Sequence, residues 1–264
     1  MKNHARLVLF CLLATPHFCS AQNVWQGKKC AVVLTYDDAL NVHLDNAIPL
    51  LDSLLLRGTF YLTGYAPACK KRIAEWRKAA ETGHELGNHT LYHPCDGSIA
   101  GREWLHPEND LTQYTMKRIT EEIRSTNVLL EAIDGKTERT FAFTCGDMMA
   151  GGKPFMPEMK KDFVAARAVR PEMHALSEVD LYNVDCYPIN GESGDKMIEL
   201  VKKAMESGKL LVFLFHGVGG EHGLNVDLAA HSQLLHFLKD NEEEIWIAPM
   251  IEVAQYVKKV QSDK

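Results

Sequence analysis

The sequence predicts an α/β fold organised around a parallel sheet wrapped by helices, either a barrel or a doubly wound sheet. Three features carry that expectation. Short apolar runs alternate with amphipathic stretches along the whole chain. The runs are apolar at consecutive positions rather than at every second one, as strands covered on both faces must be. Several of the amphipathic stretches stop at a glycine, the residue that most easily takes the left-handed backbone at a helix end. At 264 residues, 46% hydrophobic and 24% charged, the chain is long enough for one large core, so a single domain is expected.

The elements follow in order. Residues 30–35, CAVVLT, read as the first strand, 46–56 as a helix stopped by Gly58, and 59–63, TFYLT, as the second strand. A helix over 70–81 closes at Gly83, a short strand covers 84–87, and a long helix over 112–133 ends at Gly135. Strands are expected at 140–144, 162–168 and 181–185, then a helix over 195–206 with Gly208 behind it. The most apolar strand, LLVFLF, covers 210–215; a helix (228–239), a strand (245–247) and a last helix (251–258) complete the pattern. In either architecture the chemistry belongs at the carboxyl ends of the strands.

The N-terminus has the layout of a cleaved secretory leader: Lys2 and Arg6, an apolar run over 7–14, then small residues up to Ala21. Cleavage after Ala21 would leave a catalytic domain over 22–264 in a secreted or periplasmic protein. The apolar run is too short for a membrane anchor, and no transmembrane segment follows it. Loss of Lys2 and Arg6 takes the formal charge from −6 to −8, which excludes nucleic acid as a natural partner. The cysteines that remain, Cys30, Cys69, Cys95, Cys145 and Cys186, form no zinc-finger spacing; one oxidised pair is the most they imply.

Three groups of residues carry chemistry. Thr35-Tyr36-Asp37-Asp38-Ala39 ends the first strand with two adjacent carboxylates, which repel unless a positive charge stands beside them. His89-Thr90-Leu91-Tyr92-His93-Pro94 offers two imidazoles four residues apart, with the proline stopping any helix, so one turn brings both rings to one side. Two histidines and one carboxylate leave coordination positions open, as a catalytic metal site requires. Leu214-Phe215-His216-Gly217 ends the most apolar strand and sets a third imidazole at the same rim.

Together these segments resemble the polysaccharide deacetylases of carbohydrate esterase family 4, the NodB-homology domain. The family's TFDDG stands here as TYDDA, its H-(S/T)-x-x-H-P as HTLYHP preceded by GHELGN, and its L-x-H as Leu214-Phe215-His216, so that the resemblance covers about 28–258. It implies a distorted (β/α) barrel in which Asp38, His89 and His93 hold a divalent metal, zinc foremost. Asp37 would be the general base, His216 the acid that protonates the leaving group, and Leu214 part of the pocket for the acetyl methyl. The implied substrate is an acetylated glycan carrying N-acetyl amino sugars. An O-acetyl esterase of the same fold, or a carbohydrate-binding protein that keeps the metal without turnover, are the alternatives.

Two of the family's motifs are altered. Where R-P-P-x-G is expected the chain reads Ala142-Phe143-Thr144-Cys145-Gly146, so alanine replaces the arginine that pairs with the base. Arg167 is expected to supply that charge from a neighbouring strand, in preference to Arg170. In Asn183-Val184-Asp185-Cys186-Tyr187-Pro188, Asp185 matches the aspartate that orients the acid histidine, and Tyr187 stands for the tryptophan that walls the pocket. The backbone N–H of Cys145 is the expected oxyanion donor. The loop over 94–111 carries Trp104, suited to stacking on a sugar. His84, His106, His222, His231 and His236 read as structural or surface groups, with His222 nearest to the motifs.

Overall fold

β1 (Cys30–Asp37), buried at every position, is the hub of the computed structural model, which describes residues 24–263. The leader assigned to 1–21 falls outside those residues. From β1 the chain passes a π turn (His43–Ala47) into α1 (Ile48–Ser53), then β2 (Thr59–Leu62), α2 (Pro67–Lys71), α3 (Ile73–Glu81) and β3 (Glu85–Asn88). Two short 3-10 turns lead to α4 (Met116–Asp134) and β4 (Thr140–Ala142). A hairpin, β5 (Met149–Ala150) with β6 (Lys153–Pro154), and α5 (Met156–Met159) precede β7 (Ala165–Arg167) and β8 (Tyr187–Pro188). After α6 (Gly194–Ser207) come β9 (Leu210–Phe215), the paired β10 (Gly217–Val218) and β11 (Asn225–Val226), α7 (Leu228–Asp240), β12 (Ile245–Ile247) and α8 (Met250–Ser262).

The main sheet is parallel, in the order β7-β4-β3-β2-β1-β9-β8. β12 lies along the first residues of β1 and β2 along its last, while β9 follows its other edge from Ala31 to Tyr36. The two ends of the sheet approach each other at a bridge between Arg167 and Val184, so the sheet curls into a distorted barrel. The predicted strand over 181–185 is reduced to that bridge. The predicted helix over 112–133 begins later, because Asp110 turns the chain by accepting the Thr112 N–H and Thr115 then caps α4 through the Arg118 N–H. The predicted helix over 70–81 breaks at Arg72, whose backbone leaves the helical region (φ −124°, ψ 32°).

Strand alternation sorts the side chains into two cores. Val32, Leu34 and Tyr36 of β1 join Phe60, Leu62, Leu211, Phe213 and Phe215 on the face covered by α1, α6 and α7. Ala31 and Val33 join Val212, Leu214, Ala165, Ala248 and the apolar side of α8 in the barrel interior. Asp37 therefore continues the interior series of β1, and His216 that of β9. The interior also holds a buried polar column. Glu85 accepts from Thr59 Oγ1, Thr140 Oγ1 and the Ile251 N–H, Tyr61 Oη meets Thr140 Oγ1 at 2.8 Å, and the Arg167 guanidinium lies 5.2 Å over the Tyr61 ring. Gly87 of the GHELGN stretch makes room for it: a Cβ there would fall 2.4 Å from Tyr61 Cδ1.

Candidate active site

The carboxyl ends of β1, β3 and β9 open onto a cleft of about 290 Å³ lined by Asp37, Asp38, His89, His93, Leu214 and His216. Asp38 sits at its centre. Its backbone is left-handed (φ 81°), as is that of Ala39 (φ 55°), the residue standing where the TFDDG motif has glycine. Thr90, His93, Cys145 and Glu221 are also left-handed. Two more such residues, Gln26 and Leu55, lie outside the cleft; strained backbone at non-glycine residues is favoured where the surroundings over-determine it, as around Asp38.

Asp38 Oδ1 lies 3.3 Å from His93 Nε2 and 3.5 Å from His89 Nε2, and it is buried without a hydrogen-bond partner. These ligand atoms lie within 4.8 Å of one another. His89 Nδ1–H donates to the Ala142 carbonyl at 2.9 Å, which turns the Nε2 lone pair toward Asp38, the arrangement by which outer bonds orient a metal-binding imidazole. Burial pushes His89 down to about 4, so the ring is neutral at neutral pH. Burial alone would raise the Asp38 carboxyl; His93, His89, His216 and His222 around it outweigh that effect and hold it at about 2. An ionised carboxylate beside the neutral His89 ring is a donor pair of the kind a divalent cation requires.

Asp37 Oδ2 is bonded by the Arg167 guanidinium, with both side chains almost completely buried, while Oδ1 has no partner. Arg167 and Ala142 are direct register partners across β7 and β4. The arginine missing from one strand is thus replaced on the next, on the same interior face. Arg170 points elsewhere: it bonds Asp185 Oδ2 at 2.6 Å.

Two expectations are corrected. Asp185 does not reach His216; its Oδ2 is taken by Arg170 and, at 2.7 Å, by His174 Nε2. His174 bridges to Leu210 at the opposite end of β9, which accounts for the separation. Tyr187 does not wall the cleft, because its register partner is the helix-facing Phe213; the next residue, Pro188, pairs with the interior-facing Leu214 and lines the cleft instead. Cys145 also lines it, and its Sγ is joined to Cys95 in a disulfide that ties the loop after HTLYHP to the loop after β4.

His222, read from the sequence as structural or surface, is brought into the site: its Nε2 lies 3.8 Å from Asp38 Oδ2, beside His216 Nε2 at 4.0 Å. The one signal for it in the sequence is the short glycine-rich return, GVGGEHG, directly behind β9. Burial lowers His216 against the pull of Asp37 and Asp38. Trp104, 63% exposed, stands at the mouth. Three other histidines are engaged away from the cleft. His84 accepts the Gly58 N–H, His106 accepts the Glu108 N–H, and His231 Nε2 is hydrogen-bonded with the Tyr36 hydroxyl at 2.8 Å.

Residues 26–151 match the family described as polysaccharide deacetylase. YlxY, an uncharacterised protein of Bacillus subtilis (strain 168), is 29% identical over 102 residues, 39% of this chain; the match spans only 27% of that relative's length. A putative polysaccharide deacetylase from Mycobacterium smegmatis superposes with a TM-score of 0.65 at 16% identity, over 89% of this chain and 92% of that one. A probable polysaccharide deacetylase from Pseudomonas aeruginosa PAO1 superposes at 0.62 with 12% identity, over 90% and 94%. At these identities the structural likeness speaks for the fold.

Proposed function

Because this chain belongs to the polysaccharide deacetylase family, whose sequence lies over residues 26–151, we propose that it is a metal-dependent hydrolase that removes acetyl groups from an N-acetylated glycan. The donor set fits a divalent cation, zinc first. Two imidazoles and a carboxylate converge, Asp38 Oδ1 is buried with no other partner, and His89 is oriented from behind. When bound there, the cation would polarise the acetyl carbonyl and make the attacking water more acidic.

This chain's residues would do the rest. Asp37 Oδ1, unpartnered and facing the cleft, takes the proton of the attacking water, while Arg167 on Oδ2 fixes the carboxylate's orientation and balances its charge. The C–N bond of the acetamide breaks as His216 Nε2 delivers a proton to the leaving nitrogen. Leu214 and Pro188 offer an apolar floor for the acetyl methyl, the Cys145 N–H is the proposed oxyanion donor, and exposed Trp104 suits the face of a pyranose ring.

One observation carries this reading: the buried Arg167–Asp37 pair directly across from Ala142. An alanine at 142 by itself would favour a non-catalytic protein, but the guanidinium of Arg167 stands on Asp37 in its place. An exported protein is part of the proposal, supported by the leader-like N-terminus and the Cys95–Cys145 disulfide, a bond favoured in oxidising compartments.

The test is acetate release from N-acetylglucosamine oligomers and from O-acetylated sugars, with metal-stripped and zinc-loaded protein. Turnover on the N-acetyl substrates that needs metal, and that Asp37→Asn abolishes while metal stays bound, is the expected result. Release from O-acetyl sugars alone would assign an esterase. A zinc-loaded parent that releases acetate from neither would leave a carbohydrate-binding protein.

A further inference from the structure

We infer that His222 is the positioning residue of His216, setting the plane of its imidazole by parallel ring stacking in place of a bonded carboxylate. The inference rests on the reading of His216 as the proton donor.

The His216 ring lacks the usual anchor. Its Nδ1 is buried and has no hydrogen-bond partner among the described residues, and Asp185 is committed to Arg170 and His174. Nε2 is 4.0 Å from Asp38 Oδ2, too far for a hydrogen bond to fix the ring. The bond that His43 Nε2–H donates at 2.7 Å goes to the His216 backbone carbonyl, which holds the chain and leaves the side-chain torsions free. What does meet the ring is His222, parallel to it within 12° at a centroid distance of 4.7 Å. Offset stacking at that distance resists rotation out of the shared plane.

A stacking partner can orient another ring only if it is itself held, and the loop around His222 is held at several points. β10 and β11 pair Gly217 with Asn225 and Val218 with Val226, closing the loop at its base. The Gly220 N–H donates to Asn225 Oδ1 at 2.7 Å across it. At the tip, Glu221 accepts from Asn41 Nδ2 at 2.7 Å and from the Val42 N–H at 2.8 Å, tying the loop to the segment behind the aspartate pair. His222 Nδ1 accepts the Leu224 N–H at 3.0 Å, which fixes its ring plane. The glycines permit this tight return. Gly219 has φ 79°, and a Cβ there would fall 2.5 Å from Leu228 Cγ; one on Gly217 would fall 2.3 Å from the Gly220 carbonyl oxygen.

The experiment compares the zinc-loaded parent with His222→Ala and His222→Phe, using crystal structures and steady-state kinetics on an N-acetylglucosamine oligomer. In His222→Ala the His216 ring should occupy more than one rotamer, and kcat should fall about 10- to 100-fold with KM within about threefold, the scale on which misorientation of a reacting group acts. His222→Phe, which keeps the flat face but loses the Nδ1 bond to Leu224, should restore the single rotamer and kcat in part. A single unchanged His216 rotamer in His222→Ala overturns the inference. So does a His222→Phe protein as impaired as His222→Ala, which would assign the role to the His222 nitrogens. If the parent releases no acetate, the family-based reading fails, yet the rotamer comparison still decides this one.

Discussion

Replacing Arg167 by methionine removes one charge from a buried pair while keeping most of the side-chain volume. The Arg167 side chain is fully buried and that of Asp37 is 4% exposed, so water cannot compensate the carboxylate left behind. Breaking one side of such a pair costs about 3–5 kcal/mol. At about 2–4 °C per kcal/mol for a domain of this size, the melting temperature should fall by about 6–20 °C. Loss of an aligned base should lower turnover by about 100-fold or more. Arg167→Lys should fall between parent and Arg167→Met, because it keeps a charge but forfeits the bond from Nη1 to the Ala168 carbonyl at 3.1 Å. The register offers a rescue: Ala142 and Arg167 are paired directly, so Ala142→Arg combined with Arg167→Ala returns a guanidinium to the same interior space and should recover part of both quantities. Thermal melts and acetate release measure the series. An Arg167→Met protein melting within about 2 °C of the parent with full turnover would refute the argument.

Three further outcomes are expected. His89→Ala should weaken zinc binding by about 100-fold or more, read by competition with a chromogenic chelator; unchanged zinc affinity would remove His89 from the ligand set. Cys145→Ser opens a loop with a sequence separation of 50 residues, and the chain-entropy relation assigns that closure about 4 kcal/mol, to be compared with urea melts of the oxidised parent. Acid should destabilise the fold through His231, which burial pushes down from 6.5 to about 3. The unfolded chain takes up this proton first, so the contribution is complete above about pH 6.5 and is lost as pH falls toward 3, by about 2 kcal/mol at pH 5; melts whose stability rises below pH 6.5 would contradict it.

Much of the architecture was legible because local pattern and burial coincide in a parallel sheet. LLVFLF at 210–215 and the strand at 245–247 have the predicted bounds, and CAVVLT extends only by Tyr36 and Asp37, the start of the motif it presents. Failures came where a local side-chain bond outweighed periodicity, as at Asp110 and Thr115 before α4, or where a segment pairs by one bridge instead of a ladder, as at Val184.

The amino-acid sequence alone determined which residues can hold a cation, because the spacing in HTLYHP and the adjacency of Asp37 and Asp38 are properties of the chain itself. Tertiary structure decided everything that depends on sheet register. It set Arg167 opposite Ala142, turned Pro188 rather than Tyr187 toward the cleft, drew Asp185 to Arg170 and His174, and folded His222 over His216. The physical reason is that the side-chain period of a strand is two residues, so a shift of one position in the pairing of distant segments exchanges the inward and outward faces, and no short stretch of sequence records that choice.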